Sequence, residues 1–250
     1  MHCKWRLSIS KASIRSALSL AMLCLLLAAC ASKNENAARR GLTPFTPAPG
    51  MTVYLPDGWQ VGNSAEYGAA IDALCAKIPL AMARPDAAFY AARQSADGAP
   101  AAILTIGRAK STGLTNDMLA VLTAEEKQQF AQAMIFTLQN LSTRADLPLA
   151  VSRAFFKQTG RYEPLLISGS SQNLITFDSA LYFLPDNALA LSYMRFTAVH
   201  DDIDPAAEFA RILAAFEPDA AYKPTPPPAR NTGESMPQYL LRVNAKGKQL

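Results

Sequence analysis

The chain has 250 residues and a formal net charge of +4 at pH 7. All of the excess charge comes from four cations in the first fifteen residues, so the remaining chain is formally neutral. A neutral body excludes the clustered basic footprint that is typical of nucleic-acid-binding proteins. We therefore expect no nucleic-acid partner. The four cations are Lys4, Arg6, Lys11 and Arg15.

The first 29 residues have the layout of a secretory signal peptide. After the basic segment, an apolar stretch covers 17–29 and is interrupted only by Ser19. This stretch is shorter than the roughly 20 apolar residues that span a bilayer. A basic segment followed by a short apolar one is typical of secretion. A plain secretory signal and an uncleaved anchor are the alternatives to a lipoprotein signal.

The residues that end the apolar stretch, Leu27-Ala28-Ala29-Cys30, resemble the lipobox of bacterial lipoproteins. The resemblance implies cleavage before Cys30, whose thiol then carries diacylglycerol. It implies two or three acyl chains in all, with palmitate among them. Two or more chains anchor a protein stably, whereas one binds marginally. Because Ala31 follows the cysteine, enteric-type sorting implies the outer membrane, facing the periplasm. We expect a lipid-anchored protein of the bacterial cell envelope.

Composition divides the chain into four segments. The signal peptide, 1–29, precedes a proline-containing flexible tether, 30–50, which lacks periodicity. The folded domain is expected over 51–218, which is a comfortable length for one core. The tail, 219–250, is rich in proline and basic residues, and we expect it to be disordered. Such a tail could reach an anionic surface, pair with a partner protein as a strand, or remain an unbound solvated end.

Periodicity within 51–218 predicts both strands and helices, and three helix starts carry capping signals. The capping residues are Asn63 with Glu66, Thr123 with Glu126, and Asp204 before Pro205. In chain order, the expected elements are a strand over 51–55, a helix over 63–78, strands over 87–94 and 101–108, a long helix from 123 to before 148, strands over 151–158, 162–168, 174–184 and 188–197, and a helix over 204–218. Successive strands with hairpin-length connections predict an α+β fold: an antiparallel β-sheet of about six to seven strands, covered by two main helices in a single domain.

Two short motifs bracket this expected domain. A strand leads into Pro56-Asp57-Gly58-Trp59 near its start, and the closing helix ends in Ile212-Leu213-x-x-Phe216. Together with the successive hairpins, these motifs resemble the PsbP-like fold, which small bacterial lipoproteins also adopt. The resemblance implies a binding or assembly role without catalysis, and it supplies no site residues.

No motif for catalysis, cofactor binding or metal binding is apparent, so we predict none of these sites. His200 lies in a loop with Asp201, Asp202 and Asp204, which could serve a hydrolase or hold a cation. A solvated histidine and an Asp204 that caps the following helix explain this loop better. In 107–113 the lysine precedes the second glycine, which is the wrong order for a phosphate loop. The pair Glu125-Glu126 is expected in the first turn of a helix, where acids favour the macrodipole. Cys75 is expected to be a small buried residue, with a reactive or partner-linking thiol as the alternative.

Aromatic residues offer one further candidate. Trp59 follows a tight turn and is expected to pack in the core or against that turn. Phe155 and Phe156 are adjacent in a predicted strand and must point to opposite faces. We expect both to be core residues if both faces of the sheet are covered, whereas an exposed one would be an interaction candidate.

The expected function is a lipid-anchored binding or assembly protein. A small-ligand carrier and an unrecognised hydrolase acting on envelope material are the alternatives.

Overall fold

The computed structural model describes the following residues: 37–63, 65–66, 69, 87–95, 98, 100–110, 114–144, 149–171, 174–199, 202–225 and 227–247. The expected signal peptide, Cys30, Cys75, His200 and most of the helix expected over 63–78 lie outside them. The chain divides into two units after Arg40. In the first unit, 37–40 form a turn in which the Arg40 N–H donates to the Ala37 carbonyl at 3.3 Å.

The second unit, 41–250, holds nine strands and four helices among its described residues. In chain order they are β1 (Thr43–Ala48), β2 (Met51–Leu55), β3 (Trp59–Gly62), β4 (Ala87–Gln94), β5 (Pro100–Lys110), α1 (Asn116–Ala120), α2 (Ala124–Arg144), β6 (Leu149–Phe156), β7 (Leu165–Ser171), β8 (Ile175–Phe183), β9 (Asn187–Phe196), α3 (Pro205–Ala215) and α4 (Met236–Gly247).

Seven strands form one sheet in the order β3-β4-β5-β9-β8-β7-β6, and every neighbouring pair is antiparallel. The two remaining strands, β1 and β2, form an antiparallel hairpin. The predicted α+β class, the antiparallel sheet and its strand number are confirmed. The capping boxes at Asn63 and Thr123 and the Asp204 cap of α3 are also present as hydrogen bonds.

The two main helices lie on opposite faces of the sheet. Apolar side chains of α3, including Phe209 and Ile212, pack with the β1–β2 hairpin onto one face, which we call the α3 face. Apolar side chains of α2, including Ala131 and Phe130, pack onto β6, β7 and β8 from the other side, which we call the α2 face. Covering both faces removes the apolar side chains of the sheet from water, which stabilises the fold.

The structure corrects two predicted segment types. Part of the expected tether is β1, whose Thr43 pairs with Leu55 of β2; prolines are tolerated there because β1 is an edge strand. The expected disordered tail is wrong for Met236–Gly247, which forms α4, where Tyr239 is fully buried. Four of the tail prolines, Pro224 and Pro226 to Pro228, precede this helix, and Pro237 lies in its first turn, where proline is tolerated.

Ion pairs connect the C-terminal segment to the sheet domain and to itself. Arg230 donates to Glu126 at the start of α2 at 2.7 Å, and Met236 packs into the apolar cluster beneath α2. Glu234 accepts from Arg242 at 2.6 Å. This hydrogen bond with Arg242 is the main reason why the pKa of Glu234 falls to about 2.

Acid is expected to loosen α4. The pKa of Glu234 is lowered on folding, so its contribution to stability is present above the ordinary glutamate pKa of about 4.3. That contribution is lost as the pH falls from there through about 2. We expect the NMR signals of the Val243 methyl groups to move towards solvent-exposed values across this window. In a Glu234→Gln variant the same signals should already be shifted at pH 6. If the Val243 signals of the variant follow pH as those of the wild type do, Glu234 is not the group that holds α4.

Candidate functional site

Strand β6 is the last strand at one end of the sheet. It pairs with β7 on one side only, and no described strand pairs with its outer side. An open strand edge presents unpaired backbone donors and acceptors, which can pair with another extended chain. The outer edge of β6 is therefore the first candidate for a docking surface, and we call it the β6 edge.

The hydrogen-bond pattern identifies which backbone groups the β6 edge presents. The Lys157 N–H donates to the Pro164 carbonyl at 3.2 Å, which continues the ladder between β6 and β7. Bonded and non-bonded positions alternate along an antiparallel pair. The N–H and C=O groups of Arg153 and Phe155 therefore form hydrogen bonds with β7, whereas those of Ala154 and Phe156 point outwards.

A β-bulge limits the open part of this edge. The register shifts between Val151 and Arg153, and the Ser152 hydroxyl donates to the Ser168 carbonyl at 3.0 Å. At the start of the strand, the Leu149 N–H donates to the hydroxyl of Ser142 in α2 at 3.0 Å. Bulges and side-chain caps of this kind protect strand edges against indiscriminate pairing. The regular outward ladder is thus confined to 153–157.

The two phenylalanines of β6 have different surroundings. Phe156 pairs with Leu165 on the α2 face, where its ring lies 5.8 Å from that of Phe130. Phe155 pairs with Leu166 on the α3 face and stays 39% exposed. The expectation that both are core residues is therefore wrong for Phe155, whose ring faces an open cleft beside α3. The exposed ring is the interaction candidate that the sequence offered as the alternative.

Two clefts meet at Phe155. One has a volume of about 360 Å³ and lies between the start of α2 and the end of β6, where Lys127 and Glu163 form an ion pair at 2.6 Å. The other has a volume of about 210 Å³ and lies between β6–β8 and α3, with Leu166 and Leu213 among its lining. Phe155 is therefore an apolar ridge with a depression on each side.

Two exposed cations, Arg153 and Lys157, border the ridge. Arg153 donates from Nε to the Ser168 hydroxyl at 3.1 Å, and its guanidinium lies 5.6 Å from the Phe155 ring centroid. Its NH2 group is 4.0 Å from Asp178, which is a distant pair, and the side chain is 62% exposed. Lys157 is exposed and makes no ion pair with any described residue. The β6 edge can therefore receive negative charge from a partner.

A buried polar cluster lies inside the domain, apart from the β6 edge. The Glu208 carboxylate of α3 accepts from Trp59 Nε1 at 3.0 Å, from Arg93 NH2 at 3.1 Å and from the Tyr193 hydroxyl at 2.7 Å. Burial raises the pKa of Tyr193 well above its usual range. None of these residues lines either cleft, and Trp59 is buried as predicted. The cluster fastens α3 to the sheet.

The remaining residues that the sequence offered as candidates for catalysis, cation binding or phosphate binding have structural roles where the structure describes them. Asp204 caps α3 by accepting from the Ala206 N–H at 2.9 Å, and Glu126 binds Arg230. Gly107 lies within β5, while 111–113 are outside the described residues. Among the residues that the structure describes, no three His, Cys, Asp or Glu side chains gather as metal ligands would, and no helix has the length and apolarity needed to cross a membrane.

Comparison with solved structures finds proteins that are similar to this chain. The chain is similar to cyanobacterial PsbP from Synechocystis sp. PCC 6803, whose solution structure aligns with a TM-score of 0.44 and 9% sequence identity, over 71% of this chain and 92% of that one. A likeness of this size carries no conclusion about function. No protein-family model and no curated protein matches the sequence.

Proposed function

We propose that this protein is a lipid-anchored component of the bacterial cell envelope that binds a partner protein through the β6 edge, without catalysing a reaction. The anchor is Cys30, and the membrane is the outer membrane with the domain facing the periplasm. The single observation that supports binding is the exposed ridge of Phe155 on an open strand edge between two clefts.

The β6 edge is a better candidate than the C-terminal tail. The tail was expected to reach a partner as a disordered segment, but Arg230 and Met236 hold it against α2 and the cluster beneath it. Exposed apolar surface beside unpaired backbone groups is the arrangement that strand-adding partners use.

The binding role can be tested with a photo-activated crosslinking residue in intact cells. We expect one discrete protein adduct when this residue replaces Phe155, and no such adduct when it replaces Phe136, which is 67% exposed on α2. The adduct should disappear when Ala154→Pro is added, because proline removes an outward donor. Equal adducts at both positions, or an adduct at position 155 that persists in the Ala154→Pro variant, would contradict the proposal.

The anchor requires its own test. A Cys30→Ala variant should keep the signal peptide or be released in soluble form. When membranes are extracted with detergent, it should no longer partition into the detergent phase as the wild type does. Mass spectrometry of the wild-type N-terminal peptide should show an acylated cysteine. Identical processing and partitioning of the two proteins would remove the lipid anchor from the proposed function.

A further inference from the structure

We propose that the β6 edge recognises an extended acidic segment of its partner, with the pattern acidic–any–apolar–any–acidic, which pairs antiparallel to 153–157. The inference rests on the proposed binding role and specifies its ligand. It follows from three features on one short strand: outward backbone groups, an exposed ring and two flanking cations.

The backbone sets the alignment of the incoming strand. Ala154 and Phe156 present outward N–H and C=O groups and would form the bonded pairs with the partner. Arg153, Phe155 and Lys157 then occupy the non-bonded positions, where side chains on facing strands come closest. Antiparallel pairing continues the pattern of the whole sheet, and it is slightly more stable per residue than parallel pairing.

The side chains set the preferred residues. A side chain opposite Phe155 lies on the α3 face beside an exposed ring and the cleft lined by Leu166 and Leu213, so an apolar residue fits there. Side chains opposite Arg153 and Lys157 meet positive charge. Opposite charges across strands stabilise pairing and like charges weaken it. An acidic residue at each flank satisfies both cations.

The same charges disfavour a second copy of this chain as the occupant. In the symmetric antiparallel register centred on Phe155, Arg153 of one copy would lie opposite Lys157 of the other. Like charges directly opposite one another are destabilising, and charged side chains on edge strands are a common protection against self-pairing. A partner with carboxylates removes this repulsion.

The experiment measures binding of fluorescein-labelled peptides to the full chain in detergent by fluorescence anisotropy. The peptide TVETVTEVT carries the proposed pattern, and TVKTVTKVT reverses its charges. We expect the acidic peptide to bind about five- to tenfold more tightly than the basic one, since two cross-strand charge pairs change sign. Lys157→Glu should reduce or invert this preference, and Ala154→Pro should abolish binding of both peptides while leaving the melting temperature within a few degrees.

Each remaining outcome contradicts a stated part of the proposal. Equal affinity for the two peptides, or a preference unchanged by Lys157→Glu, would overturn the acidic pattern even if the crosslink at position 155 persists. No binding of TVETVTEVT would overturn strand addition by this pattern. A dimer that Ala154→Pro dissociates would assign the β6 edge to a second copy. If crosslinking at position 155 gives no adduct while the peptides discriminate as expected, the binding role in cells fails and the edge chemistry stands.

Discussion

Replacing Glu208 with alanine is expected to lower the free energy of unfolding by about 3–5 kcal/mol, as found when one partner of a buried ion pair is removed. Its side chain is 2% exposed and accepts hydrogen bonds from three residues. Without the carboxylate, the guanidinium of Arg93, itself 6% exposed, keeps its charge in an apolar setting. Denaturant unfolding followed by Trp59 fluorescence measures the loss.

A more exposed ion pair provides the control for Glu208. Lys127 pairs with Glu163 at 2.6 Å, but both side chains retain about a fifth of their accessible surface. Lys127→Ala should therefore cost at most about 1 kcal/mol. If Glu208→Ala costs no more than Lys127→Ala, the interior cluster does not fasten α3 to the sheet.

The second large effect is expected at Gly169, in β7. A methyl group there would meet the Ala150 carbonyl oxygen of the neighbouring strand and approach Phe177 Cζ to 2.5 Å. Since a backbone atom cannot move aside as a flexible side chain can, Gly169→Ala should cost about 1–3 kcal/mol or more. Thermal unfolding of the purified chain measures the change.

Gly107, in β5, is the matched control for this substitution. No atom lies within 4 Å of a methyl group placed there. Gly107→Ala should therefore be neutral or stabilise the protein by about 0.4–1 kcal/mol, because alanine restricts the unfolded chain. Equal destabilisation by both substitutions would show that the close contact at Gly169 is not the cause.

Local chemistry made much of the fold predictable. Strands 51–55 and 87–94 follow from their apolar and turn patterns, and α3 follows from its Asp204 cap and Pro205. The missed helix α4 also had a signal. Ser235 N–H donates to the Gln238 side chain at 3.0 Å, which is one half of a capping box and which the neighbouring prolines obscured.

The candidate site was only partly predictable for a different reason. The sequence indicates that one of Phe155 and Phe156 could leave the core, but exposure depends on which strand lies at the end of the sheet. Strand order arises from pairings between residues far apart in the chain, such as Ala102 with Arg195. Local periodicity does not encode these pairings, so the open edge could not be inferred from the pattern of β6 alone.

Amide hydrogen exchange at Ala154 and Phe156 tests the β6 edge most directly. In the free chain, both outward amides should exchange quickly, while those of Arg153 and Phe155 are protected by β7. Saturation with TVETVTEVT should slow exchange at Ala154 and Phe156 and leave the inward pair unchanged. Slow exchange of the outward amides before any peptide is added, or no slowing when peptide is bound, would contradict strand addition at this edge.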